Sequence, residues 1–411
     1  MYDWLHRAAL RAPDRIAIEV AGEGALSYAQ LLAEAERAPV NAGPRGTGSP
    51  EGADGVVRLH GGGMRFAVDL HGALLAGTAV LPVDGRLPDH EQRLRSHRGE
   101  LPYPDVATVM FTSGTTAVPK PVYLTLGNWA ANAVGSALAL GLDLCERWLC
   151  VMPLAHVGGL SILLRSTLYG TTVILHERFD SGAVLEELMD PERRTTLVSL
   201  VPTMLARLLD AGLERPPALR WALLGGGPIA PALLDRARDA GVPVAPTYGM
   251  TEGCSQIVTF GLPLWGVDLR LDDGEIVVRG PSFAANTLAA DGWLRTGDLG
   301  ELDPQGRLGV IGRRADTIVS GGENVAPAEV EAVLLAHPAL ADAGVFARPD
   351  PEWGERVVAQ VVLRDGRTAT PAELQQFAAE RLARFKVPKE ISFTDRLPRT
   401  TSGKLLRRQL S

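Results

Sequence analysis

Five short segments of the 411-residue chain combine hydroxyl, glycine and charged side chains at spacings suited to a phosphate chain and a nucleoside. The first, Thr112-Ser113-Gly114-Thr115-Thr116-Ala117-Val118-Pro119-Lys120, follows the apolar run ATVMF. Its hydroxyls, backbone N–H groups and single cation suit phosphate oxygens. It lacks the GxxxxGK[ST] spacing of a Walker A loop. The second, Thr247-Tyr248-Gly249-Met250-Thr251-Glu252, again follows a short strand. It offers a ring to stack on a base, a hydroxyl for a phosphate and a carboxylate for magnesium. In the third, Trp293 to Gly300, Asp298 sits in a tight Gly turn and can accept two hydrogen bonds from ribose hydroxyls. The fourth runs from Gly312-Arg313-Arg314-Ala315-Asp316 through Ser320-Gly321-Gly322-Glu323-Asn324-Val325 to Pro327 and Glu331. The fifth, Arg399 to Lys404, places a lysine on a Thr/Ser/Gly loop. Singly, each of these also fits a polar turn or a solvated tail.

The elements that must carry these segments alternate. Short apolar runs (IAIEV, TAVLPVD, ATVMF, RWLCVMPL, TTVILHE, TTLVSLVP, VPVAPTYG) are separated by helical patterns such as FAVDLHGALLAG, AVLEELMD and TMLARLLDAG. Such alternation predicts βαβ units and a mainly parallel sheet, whose ligands bind at the loops beyond the strand C-termini. From about residue 265 the pattern turns β-rich, and the last ~95 residues read as a separate α+β unit. The expected organisation is a domain over 1–314 and a second over 315–411. A length of 411 residues exceeds one compact core and agrees with at least two domains.

Composition narrows the function. Hydrophobic residues make up 46% and charged residues 22%, with a net charge of −7 and no long basic run, which argues against a nucleic-acid surface. Cys145, Cys150 and Cys254 form no CxxC pair and no Cys/His cluster, so neither structural zinc nor a disulfide framework is expected, and a reducing cytoplasmic setting fits. MYDWLHRAALRAPDR lacks the apolar core of a signal peptide, and no run of about 18 apolar residues predicts a membrane span.

In this order, TSGTT…PK, YGMTE, TGD, GR…D…GGEN…P.EVE and SGK resemble the adenylate-forming superfamily of acyl-CoA synthetases, adenylation domains and luciferases. The resemblance spans nearly the whole chain. It implies an α/β fold: a large N-terminal domain of layered β-sheets and helices with a β-rich subdomain, plus a small mobile α+β C-terminal domain. It also implies ATP, Mg2+ and coenzyme A as co-substrate. Thr112, Ser113, Gly114, Thr115, Thr116 and Lys120 would wrap the β- and γ-phosphates. Gly225, Gly226 and Gly227 would pack on adenine, with Tyr248 on its other face, and Gly249 would belong to the same nucleotide site. Thr251 would touch the α-phosphate, Glu252 would serve the metal, and Asp298 and Arg313 would hold the ribose. Lys404 would reach the reacting carboxylate and α-phosphate. Rotation about Ala315 would then replace it with Ser320, Gly321 and Gly322, lining a pantetheine channel. The chain departs from the usual pattern at Ala117, Pro121 and Ala315, and is abbreviated between Phe260 and Val267 and before Val57.

The run from Arg147 to Ser166, with His156 and Arg165, and the segment YGMTEGCSQIVT look most like the o-succinylbenzoate–CoA ligase family of menaquinone biosynthesis. That acid carries two carboxylates, and the one that does not react wants a cationic partner. Arg165 is the candidate, with Ser255 and Gln256 as polar contacts and His156 at the mouth of the acyl pocket. Two other readings fit the sequence: another aryl- or acyl-CoA ligase or carrier-protein-loading enzyme, and a non-catalytic nucleotide-binding relative. The expected partners are a small carboxylic acid, ATP and CoA; the sequence leaves homo-oligomerisation open.

Overall fold

The computed structural model describes residues 2–38, 55–87, 92, 94, 95, 97, 100–112, 119–351, 353–400 and 405–410. Ser113, Gly114, Thr115, Thr116, Ala117 and Lys404 lie outside the described residues.

The apolar runs build a nine-stranded sheet from β1 (Ile16–Val20), β2 (Gly24–Ser27), β7 (Arg147–Cys150), β8 (Thr172–Leu175), β9 (Leu197–Leu200), β10 (Trp221–Leu224), β11 (Val244–Met250), β12 (Ser255–Thr259) and β13 (Leu262–Pro263). The order is β13-β12-β11-β10-β9-β7-β8-β1-β2, parallel from β1 through β11, with antiparallel strands at both edges. A second sheet, β3 (Val56–His60), β4 (Ala79–Val83), β5 (Val106–Thr112) and β6 (Lys120–Thr125), is parallel except for its edge strand β6.

Successive strand residues face opposite ways. Trp148 and Cys150 join a core that also takes Val80, Met110 and Leu124 from the second sheet, whereas Leu149 joins a separate core beneath helices α6 (Ser181–Met189), α7 (Pro202–Asp210) and α8 (Pro231–Asp239). The first core is filled by α1 (Trp4–Arg11), α2 (Tyr28–Arg37), α3 (Gly63–Leu75), α4 (Leu126–Leu140) and α5 (Val157–Tyr169). Local chemistry fixes the helix ends. Ser27 with Gln30 and Thr125 with Asn128 form capping boxes, and Gly170 ends α5 in the left-handed conformation.

β14 (Asp268–Asp272), β15 (Glu275–Arg279), β16 (Leu294–Leu302) and β17 (Leu308–Arg313) form an antiparallel meander. A 3-10 turn, Arg314–Asp316, leads to a last sheet of β18 (Ile318–Ser320), β19 (Glu323–Val325), β20 (Leu340–Asp350), β21 (Gly354–Leu363) and β22 (Glu390–Phe393). Helices α9 (Pro327–Leu335) and α10 (Pro371–Ala379) cover it over a core of its own. Arg364 beyond β21 reaches Asp210 on α7 at 3.3 Å, joining this unit to the larger one. The architecture is α/β, with layered sheets and a small α+β unit after the meander.

Two site segments differ from their expected local form. Tyr248, Gly249 and Met250 do not follow β11 but belong to it, paired antiparallel with β12. Gly249 permits this: a Cβ there would lie 1.6 Å from the Ser255 carbonyl oxygen. Asp298 is not in a tight turn but inside β16, opposite Arg313 of β17. The glycine before it, Gly297, has φ +71 and marks an irregularity in the pairing of β15 with β16.

Candidate active site

Thr112 at the end of β5 and Lys120 at the start of β6 stand directly opposite each other as the feet of the β5–β6 hairpin, flanking the segment expected to wrap the phosphates. Pro121 stands on the edge strand of its sheet, where a missing N–H costs no ladder bond. The 3-10 turn Thr251–Gly253, continuing from β11, packs against both hairpin strands. Thr251 and Glu252 are thereby brought to the hairpin from the far sheet. Glu252 is held at its backbone, whose carbonyl accepts from the Ala284 N–H at 2.9 Å.

The residues expected at the nucleoside gather around β10 and β11. Gly225 follows β10 and lies so close to Thr247 that an added Cβ would meet its carbonyl oxygen at 2.8 Å. Gly226 has φ +79, and Gly227 completes the turn. The Tyr248 hydroxyl donates to Asp298 Oδ2 at 2.7 Å, and Arg313 Nε lies 2.9 Å from Asp298 Oδ1. Burial and the Asp298 charge push the Tyr248 hydroxyl well above its usual range, so it remains a donor. Asp298 itself is buried. One buried carboxylate thus joins the Tyr248 hydroxyl to the Arg313 guanidinium, bringing β11, β16 and β17 together at a single charge.

Of the residues expected at the acid, His156 is the N-cap residue of α5, and its Nε2 lies 3.4 Å from Asp84 Oδ2. Asp84 follows β4 and is gripped by the Arg86 guanidinium at 2.8 and 2.9 Å. A cleft lined by Pro82, Asp84, Arg95, Phe111, Ala155 and His156 opens beside this pair.

Arg165 points into the protein from α5 and is 1% exposed. Its Nη2 donates to Asn132 Oδ1 and to the Cys254 carbonyl, and its guanidinium lies 5.8 Å from the Trp148 ring centroid. Nε and Nη1 have no hydrogen-bond partner among the described residues. Burial pulls the guanidinium down to about 10, so it is still charged at neutral pH. Gln256 is buried beside it, but its amide is engaged by Ser136 at 2.7 Å and Thr259 at 3.0 Å. Ser255, with φ +96, stands at the bend between Cys254 and Gln256.

Ala315 lies in the 3-10 turn between the two units. Ser320 and Glu323 pair across Gly321 and Gly322, whose φ values of +62 and +85 make the tight hairpin possible. This hairpin packs on Trp353 of its own unit. The Arg399–Leu405 bridge closes the segment that carries Lys404.

Asp84 and Asn132 were not singled out from sequence. Asp84 ends the run TAVLPVD, so its place beyond a parallel strand was a usable signal. Asn132 sits in a mostly apolar helix, and nothing in its local pattern marks it.

Two family models match: AMP-binding enzyme over residues 92–286 and AMP-binding enzyme C-terminal domain over 329–404. The 2-succinylbenzoate–CoA ligase of Bacillus licheniformis is 37% identical, with 99% of each chain covered. That alignment runs over 480 positions, so the relative carries segments this chain lacks. The o-succinylbenzoate CoA synthetase of Bacillus subtilis, solved in complex with its acyl-adenylate intermediate, superposes with a TM-score of 0.87 at 35% identity over 100% of this chain and 98% of that one. A double mutant of the same synthetase, bound with its product analogue, gives 0.68 at 36% identity and the same coverage. The chain belongs to the AMP-binding, adenylate-forming enzyme family, among the 2-succinylbenzoate–CoA ligases.

Proposed function

We propose that the protein is an AMP-forming acid–CoA ligase whose acid is an aromatic dicarboxylate, o-succinylbenzoate. A carboxylate oxygen attacks the α-phosphorus of ATP, the bond to pyrophosphate breaks, and an acyl-adenylate forms. The thiolate of coenzyme A then attacks the acyl carbon and AMP leaves, the thiol proton passing to solvent. No protein nucleophile is required; positioning and electrostatic stabilisation carry the rate.

Asp298 and Arg313 hold the ribose, Tyr248 and Gly225 to Gly227 hold the base, and Lys120 and Thr112 anchor the phosphate hairpin. Lys404 steadies the charge growing between carboxylate and α-phosphate. Glu252 and Thr251 face the phosphates from the turn beside the hairpin. Magnesium is held by one or two carboxylates together with substrate phosphates, so the single Glu252 carboxylate with phosphate oxygens fits it. The ion supplies charge neutralisation on the leaving pyrophosphate. After adenylation the unit from residue 315 onward turns about Ala315, and the Ser320–Gly322 hairpin lines the thiol's path. The better superposition on the adenylate complex than on the product-analogue complex supports assigning the observed arrangement to the first step. Three cysteines, all free, agree with a cytoplasmic setting.

One observation carries the choice of acid: a buried guanidinium with two nitrogens that no described protein group satisfies. A buried cation needs an anion, and the non-reacting carboxylate supplies one. Removing one partner of such a pair costs roughly 2–5 kcal/mol. Arg165→Ala should therefore raise KM for o-succinylbenzoate by about thirtyfold or more in a pyrophosphate-release assay, with KM for ATP nearly unchanged. An equal rise for both substrates would overturn the assignment.

A further inference from the structure

Arg165 does not hold itself in place. The side chain that meets it is Asn132, 1% exposed on α4. Asn132 Oδ1 accepts from Arg165 Nη2. Its Nδ2 donates to the carbonyls of Gly253 at 2.9 Å and Gln256 at 2.7 Å. The orientation of the amide is forced: two carbonyl oxygens on one side can only accept, and a guanidinium on the other can only donate.

Those two carbonyls flank Cys254 and Ser255, both at positive φ (57 and 96), in the bend that follows Thr251 and Glu252. Asn132 therefore bolts three parts together: α4, the cation on α5, and the bend joining the phosphate-facing turn to β12. It does so while staying neutral. An Asn leaves the Arg165 charge uncompensated, whereas an Asp in the same place would neutralise it and set a carboxylate against two carbonyls.

We propose that Asn132 is the positioning residue that keeps the Arg165 charge available and so sets the preference for a doubly charged acid over a singly charged one. This rests on the reading of Arg165 as the partner of the non-reacting carboxylate. It places the enzyme's charge selectivity in a neutral side chain that the acid does not itself touch.

The test compares the full-length protein with Asn132→Asp, Asn132→Ala and Arg165→Ala in ATP–pyrophosphate exchange. Each is assayed with o-succinylbenzoate and with its analogue lacking the non-reacting carboxyl. Asn132→Asp should cut the ratio of kcat/KM for the dicarboxylate over the monocarboxylate at least tenfold, through KM of the dicarboxylate, with KM for ATP changed less than twofold. Asn132→Ala, which frees the guanidinium without neutralising it, should lower the ratio by a smaller factor. Thermal melting reports folding; if Asn132→Asp does not fold, the fall in the Asn132→Ala ratio decides the matter. Equal losses for both acids and ATP in the folded variants would mean a merely structural role and overturn the proposal. A collapsed ratio in Arg165→Ala with an intact ratio in both Asn132 variants would overturn the role of Asn132 alone. An intact ratio in Arg165→Ala would overturn the reading of Arg165, and this proposal with it.

Discussion

Replacing Arg407 by Met would strip the cation from a buried junction in the segment that follows Lys404. Arg407 Nη2 lies 2.6 Å from Glu331 Oε2 on α9, its Nη1 donates to Asp316 in the 3-10 turn at 3.2 Å, and its Nε donates to the Val345 carbonyl at 3.2 Å. The Glu331 side chain is 8% exposed, and its other oxygen accepts from the Val345 N–H at 2.8 Å. Burial raises the Glu331 carboxyl from 4.5 to about 7 despite the opposing pull of Arg407. A carboxyl raised on folding contributes stability that is complete below its unfolded value and is lost as pH rises through its folded value. Here the window runs from 4.5 to about 7 and corresponds to about 3 kcal/mol.

Without Arg407 the folded value climbs further. At pH 8.5 the variant must bury an unpaired carboxylate or bind a proton, costing about 3–5 kcal/mol. At pH 5.5 Glu331 is protonated and the loss is nearer the ~1 kcal/mol of a neutral hydrogen bond. Scanning calorimetry at the two pH values should show a much larger fall in Tm at pH 8.5, and Glu331→Gln added to Arg407→Met should restore most of it. Because Arg407 also grips Asp316 beside Ala315, pyrophosphate exchange should fall in the single variant. Equal destabilisation at both pH values would refute the reasoning.

Two further outcomes follow from close contacts in the site. Asp84→Asn keeps shape but removes the charge that faces His156 and Arg86; losing about 1 kcal/mol of orientation should lower the adenylation rate fivefold to tenfold with KM for ATP unchanged. A full-speed variant in the same exchange assay would separate His156 from the reaction. Gly249→Ala would drive a Cβ against the Ser255 carbonyl oxygen, so β11 and β12 must part, at about 1–3 kcal/mol or more. Its Tm should fall and its AMP affinity, measured by titration calorimetry, should drop with it; unchanged AMP binding would show that the strand pairing does not shape the nucleoside site.

The chemistry-bearing segments were legible because each is contiguous. A run such as YGMTE or SGGEN carries its meaning in adjacent residues, and the apolar periods around it reported strands and helices through local propensity. Capping residues such as Ser27 and Thr125 likewise act within a few positions of themselves. The pattern could not say that the parallel strands divide between two sheets, because sheet order is a matter of which distant runs bury against each other. Nor could it place Tyr248 and Asp298 inside strands rather than beside turns, since only pairing with β12 and β17 extends them.

The sequence by itself determined the kinds of groups available to a nucleotide and an acid, and the order in which they occur. The tertiary structure decided their partners: Tyr248 with Asp298, His156 with Asp84, and Arg165 with Asn132, which is itself bound to the backbone at Gly253 and Gln256. These contacts join residues tens of positions apart in the chain. A buried amide or guanidinium acquires its role from what desolvation leaves it to bond with, and desolvation exists only once the sheets and helices have closed around it.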